Sequence, residues 1–471
     1  MKKPFIELFP SYLGYYFYDV ICSQLLETTK DVYNLIKEIL ETEDEEYFDY
    51  LINDQRINDL RSRGFLSSNR LDDIKHPETD YIEYYLQDNV RSLTLQITQD
   101  CNFRCSYCAF TSGDETGLQR THQKKNMNYE RAVEAVNFYL ERSSDIDTLS
   151  IGFYGGEPLL KLDMIEKIVR YVEETSYKKC QFNITTNGSI LNDRVAELWI
   201  KYNFNVLISL DGCKQAHDKN RKYVNGNGTY DSIVRNLNEL LNKYPELKEK
   251  IFFNTVVDAT KEIDCYNQMF ADIGSISKSN DRATLVNKQL SKFNEEMTQD
   301  FLDSYEYTKF LTYMMKLNRI KESVMSPLVE DSFKNLGPYI ESLEKGDYGL
   351  PQHPAGPCIA GSDKLFVDIE GNLFACEKCS ETSKLMKIGS LSSGFDVNQI
   401  KYLLNIGCIN KDRCLNCWAT KFCSICAASC DDGNKIISPE TKQELCKKVI
   451  NNVKYAFYSM ITMKEMSSLS K

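Results

Sequence analysis

Three cysteines crowd one short stretch, Cys101-Asn-Phe-Arg-Cys105-Ser-Tyr107-Cys108, directly after the alternating apolar run Leu93, Leu95, Ile97. Such alternation predicts a strand with one buried face. The thiols are therefore expected at the carboxyl end of that strand, on a loop short enough to wrap a single metal cluster. A [4Fe–4S] cluster ordinarily takes four thiolates, so three leave one iron open to an outside ligand. Zinc competes for the same thiols, but its structural sites close with a fourth nearby Cys or His. His122 is the only histidine close by in sequence.

Beyond this loop, strand-like runs alternate with helical ones. Strands are expected at residues 149–154, 182–186, 206–210, 252–257 and 283–287. Between them, helices are expected after Asn128, which caps a turn carrying Val133, Val136 and Leu140, and near 164–172, 195–200 and 233–241. This order predicts an α/β fold with a parallel sheet. Its strands end in Gly155-Gly156-Glu157, Thr186-Asn187-Gly188 and Ser209-Leu210-Asp211-Gly212, at the carboxyl edge where such folds gather reactive groups.

The first ninety residues read differently. Residues 5–9 and 15–20, separated by Pro10 and Gly14, predict a hairpin. Thr29 then caps a helix whose Val32, Leu35, Ile36, Ile39 and Leu40 share one face. Shorter helices at 47–52 and 55–63 complete a winged-helix outline, and residues 67–80 read as a linker. Residues 296–350 read as helical and charged. A hairpin turning at Gly371-Asn372 is expected within residues 365–374.

A chain of 471 residues calls for two or three domains. A net charge of −11 excludes a global basic field, which argues against nucleic acid as the main partner. The amino terminus has no signal-peptide core, and no apolar run is long enough to cross a membrane, so a cytoplasmic protein without a membrane partner is expected. In a chain of this kind 17 cysteines suggest metal or redox chemistry rather than disulfides. Cys22, Cys180, Cys213 and Cys265 stand alone and read as small buried hydrophobes.

The triad, the aromatic Tyr107 before its last cysteine, and Phe153-Tyr-Gly-Gly-Glu-Pro158 together resemble the signature of the radical S-adenosylmethionine (SAM) enzymes. The resemblance covers residues 92 to about 260. It implies a partial (β/α)6, TIM-like barrel in which Cys101, Cys105 and Cys108 hold a [4Fe–4S] cluster that binds the methionine end of SAM. Gly155, Gly156, Glu157 and Asn187 would lie around the cofactor, with Tyr107 beside the adenine. Ser209 and Arg221 match cofactor-binding positions in the related sulfatase-maturating enzymes.

The later cysteines resemble the SPASM extension, which carries two auxiliary [4Fe–4S] clusters, three clusters in all. Position by position, Cys414, Cys417, Cys423 and Cys446 would hold the outer cluster, and Cys358 and Cys376 would begin the inner one. The usual pattern is not kept here, so Cys379, Cys426 and Cys430 all remain candidates to complete the inner set. One ligand position could even be open to a substrate thiol. Two zinc knuckles are the competing reading of this segment. Glu377 stands where sulfatase maturases carry a catalytic acid.

Residues 1–85 resemble a recognition element for the leader of a ribosomal precursor peptide. That resemblance implies strand addition at the sheet edge and contact with the third helix. Arg56, Arg61 and Arg63 would suit an acidic leader, or be an ordinary solvated face. The expected organisation is thus residues 1–85, a barrel at 91–295, a helical bridge at 296–355 and a cysteine-rich domain at 356–471. The expected activity is thioether formation in a precursor peptide, with electrons from a reduced flavodoxin or ferredoxin. Carbon–carbon crosslinking, epimerisation, sulfatase maturation and a redox-sensing DNA regulator are the alternatives.

Overall fold

A computed structural model of the chain describes residues 2–108, 122–273, 281–285, 296–321, 329, 336 and 353–468. The amino-terminal module is an antiparallel meander of β1 (Ile6–Pro10), β2 (Tyr15–Asp19) and β3 (Gln24–Thr28), followed by helices α1 (Lys30–Glu41), α2 (Glu45–Ile52) and α3 (Gln55–Ser62). Thr29 caps α1 by accepting from the Val32 amide, as its sequence position requires. The expected hairpin is therefore the first part of a three-stranded sheet. Its third strand lies at the edge with mostly half-buried side chains, so no buried face marks it in the sequence.

Each face of this small sheet has its own apolar partner. Ile6 and Phe17 pack against Ile36 and Ile39 of α1, Phe48 of α2 and Ile57 of α3. Phe9, Tyr16 and Tyr18 pack instead on Trp418, Phe422 and Phe457 from the carboxyl-terminal region. Residues 67–80 behave as a bound strap rather than a linker. Leu71 and Ile74 are buried against Cys414, and the His76 amide donates to Asn405.

After helix α4 (Ile82–Asp88), six parallel strands are arranged in the same spatial and chain order: β4 (Leu93–Thr98), β5 (Thr148–Gly155), β6 (Lys179–Thr186), β7 (Asn205–Ser209), β8 (Ile251–Val257) and β9 (Asp281–Leu285). Between them run α5 (Tyr129–Leu140), α6 (Leu162–Thr175), α7 (Asp193–Lys201), α8 (Lys214–Asn220), α9 (Tyr230–Lys243) and α10 (Ile263–Ile273). Each βα step is the unit that a parallel sheet requires. Residues 286 and 287 of the expected last strand lie outside the described residues. Of the expected helical stretch 296–350, helix α11 (Gln299–Lys316) is described, and most of residues 322–350 lie outside the described residues.

The sheet continues past β4. The expected hairpin forms as β10 (Leu365–Val367) and β11 (Asn372–Phe374), and β10 pairs in parallel with β4 in the register Leu365↔Leu93. Strands β12 (Lys387–Ser390) and β13 (Gly394–Phe395) extend it to ten strands. Barrel and cysteine-rich segment accordingly share one apolar core, running from Ile82 to Cys446. Cys213 and Cys265, read as isolated hydrophobes, are instead joined by a disulfide: the turn after β7 and the start of α10 bring their Cα atoms to 4.9 Å. No described helix is long and apolar enough to cross a membrane.

Candidate functional site

The cysteine loop leaves β4 and is tied at several points to the segment after α8. The Arg104 amide donates to the Lys222 carbonyl at 2.7 Å, the Ser106 amide to the Asn220 carbonyl at 2.9 Å, and Phe103 packs edge-on against Tyr223. Burial pushes the Cys101 and Cys105 thiols up to about 12. Three thiols on one short loop are the donor set that a [4Fe–4S] cluster with one open iron takes; among the described residues no three ligands already sit at the spacing of a single metal ion.

The next strand end approaches this loop very closely. Gly155 has φ +138°, and a Cβ there would meet the Thr98 carbonyl at 2.1 Å; one on Gly156 would meet the Asp100 carbonyl at 2.1 Å. Only glycine fits at either position. The amides of Gly156 and Glu157 donate to those same two carbonyls, each at 2.8 Å. Glu157 is buried, and its carboxylate accepts from the Leu159 amide, the Thr186 hydroxyl and the Asn187 amide. It thus clamps the ends of β5 and β6 together. Burial raises its pKa to about 7, against those three hydrogen bonds.

Asn187 reaches from that clamp toward the thiols, donating to Asn102 at 2.8 Å with its amide 3.9 Å from Cys101 Sγ. On the other side lies a buried network. Arg221 Nε donates to Asp211 at 2.8 Å, its guanidinium lies 5.3 Å from the Tyr107 ring centre, and Tyr107 donates its hydroxyl proton to Asp211. Burial works most strongly against the Arg221 charge, but Asp211, Tyr107 and Cys105 together hold the guanidinium pKa above its ordinary value. His217 caps this corner as a neutral ring, its pKa lowered to about 4 by burial, with Nδ1 accepting from the Asp211 amide. Ser209 is buried at the end of β7, and its hydroxyl makes no hydrogen bond among the described residues.

Tyr107, Gly155, Gly156, Glu157, Asn187, Ser209 and Arg221 thus lie on the loop and strand ends around the triad. Sequence reasoning does not single out Asp211 as a site residue, although it stands in a strand-end segment. Its two buried partners come from other elements.

Below this mouth, the strands enclose a cavity of about 450 Å³ lined in part by Thr94, Tyr154, Asn183 and Thr185, with Lys364 and Glu377 also on its wall. The register of β10 on β4 puts Lys364 beside the start of β4, at the end of the barrel opposite the triad. Lys364 donates to the Glu377 carboxylate at 3.0 Å. Nothing in the sequence singles out Lys364, because β10 reaches the barrel only through the fold.

The remaining thiols fall into two groups. Cys414, Cys417, Cys423 and Cys446 line one small cavity. Cys376 lies 3.5 Å, sulfur to sulfur, from Cys379, and its charge acts on both Cys358 and Cys426. Cys430 is buried between the groups, facing Cys426, Cys446 and Cys423. Cys379 is thus the thiol in contact with Cys376, and Cys358 and Cys426 are within reach of its charge.

Comparison with known proteins agrees with this geometry. Residues 95–258 match the family model of the Radical SAM superfamily. The chain is 23% identical to the radical SAM cyclopropyl synthase TigE of Paramaledivibacter caminithermalis, over 85% of this chain and 83% of that protein. It is also 23% identical to a cysteine-type anaerobic sulfatase-maturating enzyme of Clostridium novyi, over 72% of this chain and 88% of that one. Among solved structures, native anSMEcpe with bound AdoMet superposes with a TM-score of 0.56 at 18% identity, over 80% of this chain and 99% of that one. The sequence signature, the parallel strands and the thiol loop at their carboxyl end have one common explanation: residues 95–258 form a radical SAM domain.

Proposed function

We propose that this radical SAM enzyme is a maturase that closes a new bond within a ribosomally made precursor peptide. The observation that carries the reading is the cavity between the barrel strands, with Lys364 and Glu377 on its wall, Cys376 next to Glu377 in the chain, and the Cys101, Cys105 and Cys108 loop beyond the opposite, carboxyl ends of the same strands. A peptide loop held there lies between an oxidising centre and an electron acceptor. We assign residues 1–85 to peptide recognition, 91–295 to the barrel, 296–355 to a bridge and 356–471 to the auxiliary-cluster domain.

Cys101, Cys105 and Cys108 hold the first [4Fe–4S] cluster in this reading. Cys414, Cys417, Cys423 and Cys446 hold the outer auxiliary cluster, and Cys358, Cys376, Cys379 and Cys426 the inner one. When bound, the first cluster and SAM supply the one-electron chemistry that no side chain can provide. The chain does the rest. Gly155 and Gly156 bring backbone up to the cofactor, Asn187 and Ser209 offer it polar groups, and the Asp211–Arg221 pair fixes Tyr107 against it. Glu377, held by Lys364, takes the substrate proton at the far end of the cavity. An extended leader adds to the free edge of β3, and a reduced flavodoxin or ferredoxin donates the electron.

The bond formed has two readings. Cysteine sulfur to carbon is the first, carried from the resemblance of Cys414-x-x-Cys417-Trp418 and Phe422-Cys423-x-x-Cys426 to the same run in thioether-forming maturases. Carbon–carbon closure is the second, supported by the similarity to a cyclopropyl synthase and by four thiols at the inner site, which leave no ligand position for substrate sulfur unless Cys379 withdraws. Anaerobic co-expression with the peptide encoded beside this gene, followed by mass spectrometry, tests both. Loss of two hydrogens with a cysteine protected from alkylation supports the thioether, and the same loss with the cysteine free supports carbon–carbon closure. An unchanged peptide, with a sulfatase peptide oxidised instead, overturns the proposal.

A further inference from the structure

Lys442 sits in the long carboxyl-terminal helix Pro439–Ser468 and is 1% exposed. A buried ammonium costs several kcal/mol unless an opposite charge answers it. Among the described residues no carboxylate does. Its Nζ donates instead to Cys414 Sγ at 3.4 Å. The same side chain lines the cavity formed by Cys414, Cys417, Cys423 and Cys446, and its charge also acts on Cys430 and Cys446. The one other cation on that wall, Arg413, is half-exposed and so is screened by solvent.

The thiol group around Cys376 has a different electrostatic setting. Its neighbouring cations are Lys364, which is already paired with Glu377 at 3.0 Å and has its side chain 46% exposed, and Lys378, which acts on Cys426 but is exposed to solvent. One thiol site therefore has a buried, uncompensated positive charge bonded to a sulfur, whereas the other has a neutralised pair and a solvated lysine. A four-thiolate cubane is anionic and gains a further negative charge on reduction. Charge and hydrogen bonds at its sulfurs set its potential, and a cation at the sulfur favours the reduced state.

We propose that Lys442 sets the potential of the outer four-cysteine site, making it the more easily reduced of the two auxiliary centres. With clusters held at both thiol groups, that order of potentials would favour electron flow from the Cys376 group to the Cys414 group. This rests on the cluster assignment given under Proposed function. Lys442 acts through Cys414 and touches no substrate, so it is a positioning residue.

The test is a redox titration followed by electron paramagnetic resonance, on reconstituted full-length protein whose first cluster is removed by Cys101, Cys105 and Cys108→Ala. Lys442→Met should lower one auxiliary midpoint enough to reduce its reduced-to-oxidised ratio at fixed poise about tenfold, about 59 mV for one electron. The other midpoint should not move, and Lys442→Arg should restore the first. Unmoved midpoints in Lys442→Met with a full iron complement would overturn the role of Lys442. A second measurement needs no lysine variant: Cys414→Ser marks the outer centre by its altered signal, and that centre must be the higher-potential one in the parent protein. If it is the lower, the proposal is wrong. Iron sufficient for only one cluster in the wild-type chain would instead overturn the cluster assignment itself, a separate result.

Discussion

Asp211 holds three partners at once: the Tyr107 hydroxyl, the Arg221 guanidinium and the Val256 amide. Changing it to Asn leaves a buried guanidinium without its counter-charge, which typically costs about 3–5 kcal/mol. Asp211→Asn should therefore lower both thermal stability and SAM affinity, whereas Ser209→Ala should lower affinity alone; anaerobic melting and equilibrium binding separate the two. Glu157 gives a pH prediction. Its folded pKa of about 7 lies above the ordinary 4.5, so the folded state binds more protons between those values and stability falls as pH rises through that window. The effect is on the order of 3 kcal/mol across the window. Glu157→Gln should flatten the decline between about pH 4.5 and 7, as measured by denaturant unfolding. The glycine pair and the thiol triad are legible in the sequence because their chemistry is local. Asp211 and Lys364 are not, since an ionic partner on another strand leaves no trace in spacing.

At the scale of elements, the amino-terminal module is fastened by aromatic rings. Phe9 stacks on Phe457 at 5.0 Å and meets Trp418 edge-on at 5.7 Å. Phe9→Ala should cost about 3–5 kcal/mol and raise hydrogen exchange across residues 5–28 while leaving β4 to β8 protected. The Cys-x-x-Cys-Trp418 run thus has a packing role as well as its thiols. For leader binding, added precursor peptide should protect the amides of β3, one of the two edges of the meander, and leave those of β2 unchanged. Protection elsewhere only would refute strand addition there. Of the three arginines near α3, Arg56 is paired with its own cap Asp54 and Arg63 lies over Phe65, so Arg61 is the better candidate for an acidic leader. Helices α1 to α3 are legible from one-sided apolar spacing. Strand β3 is not, because a half-buried edge strand lacks that contrast.

For the molecule as a whole, three clusters predict about twelve irons per chain after anaerobic reconstitution, with about four lost when Cys101, Cys105 and Cys108 are all changed to Ala. The four outer thiols can be grouped through the family resemblance of their spacing, and they do line one cavity. Cys358 can be placed with Cys376 in the same way, but the choice among Cys379, Cys426 and Cys430 cannot, because the usual spacing is not kept there. Distance along the chain matters for synthesis. Strand β4 is hydrogen-bonded to β5 on one side and to β10 on the other, and β10 lies about 270 residues further along the chain. At translation rates of roughly 5–20 residues per second, the apolar edge of β4 waits on the order of tens of seconds for its cover. Nascent chains halted just short of Leu365 expose an unpaired, largely apolar edge strand, the kind of surface on which sheets aggregate, and such chains should depend on chaperones in a way that chains released after Phe374 do not.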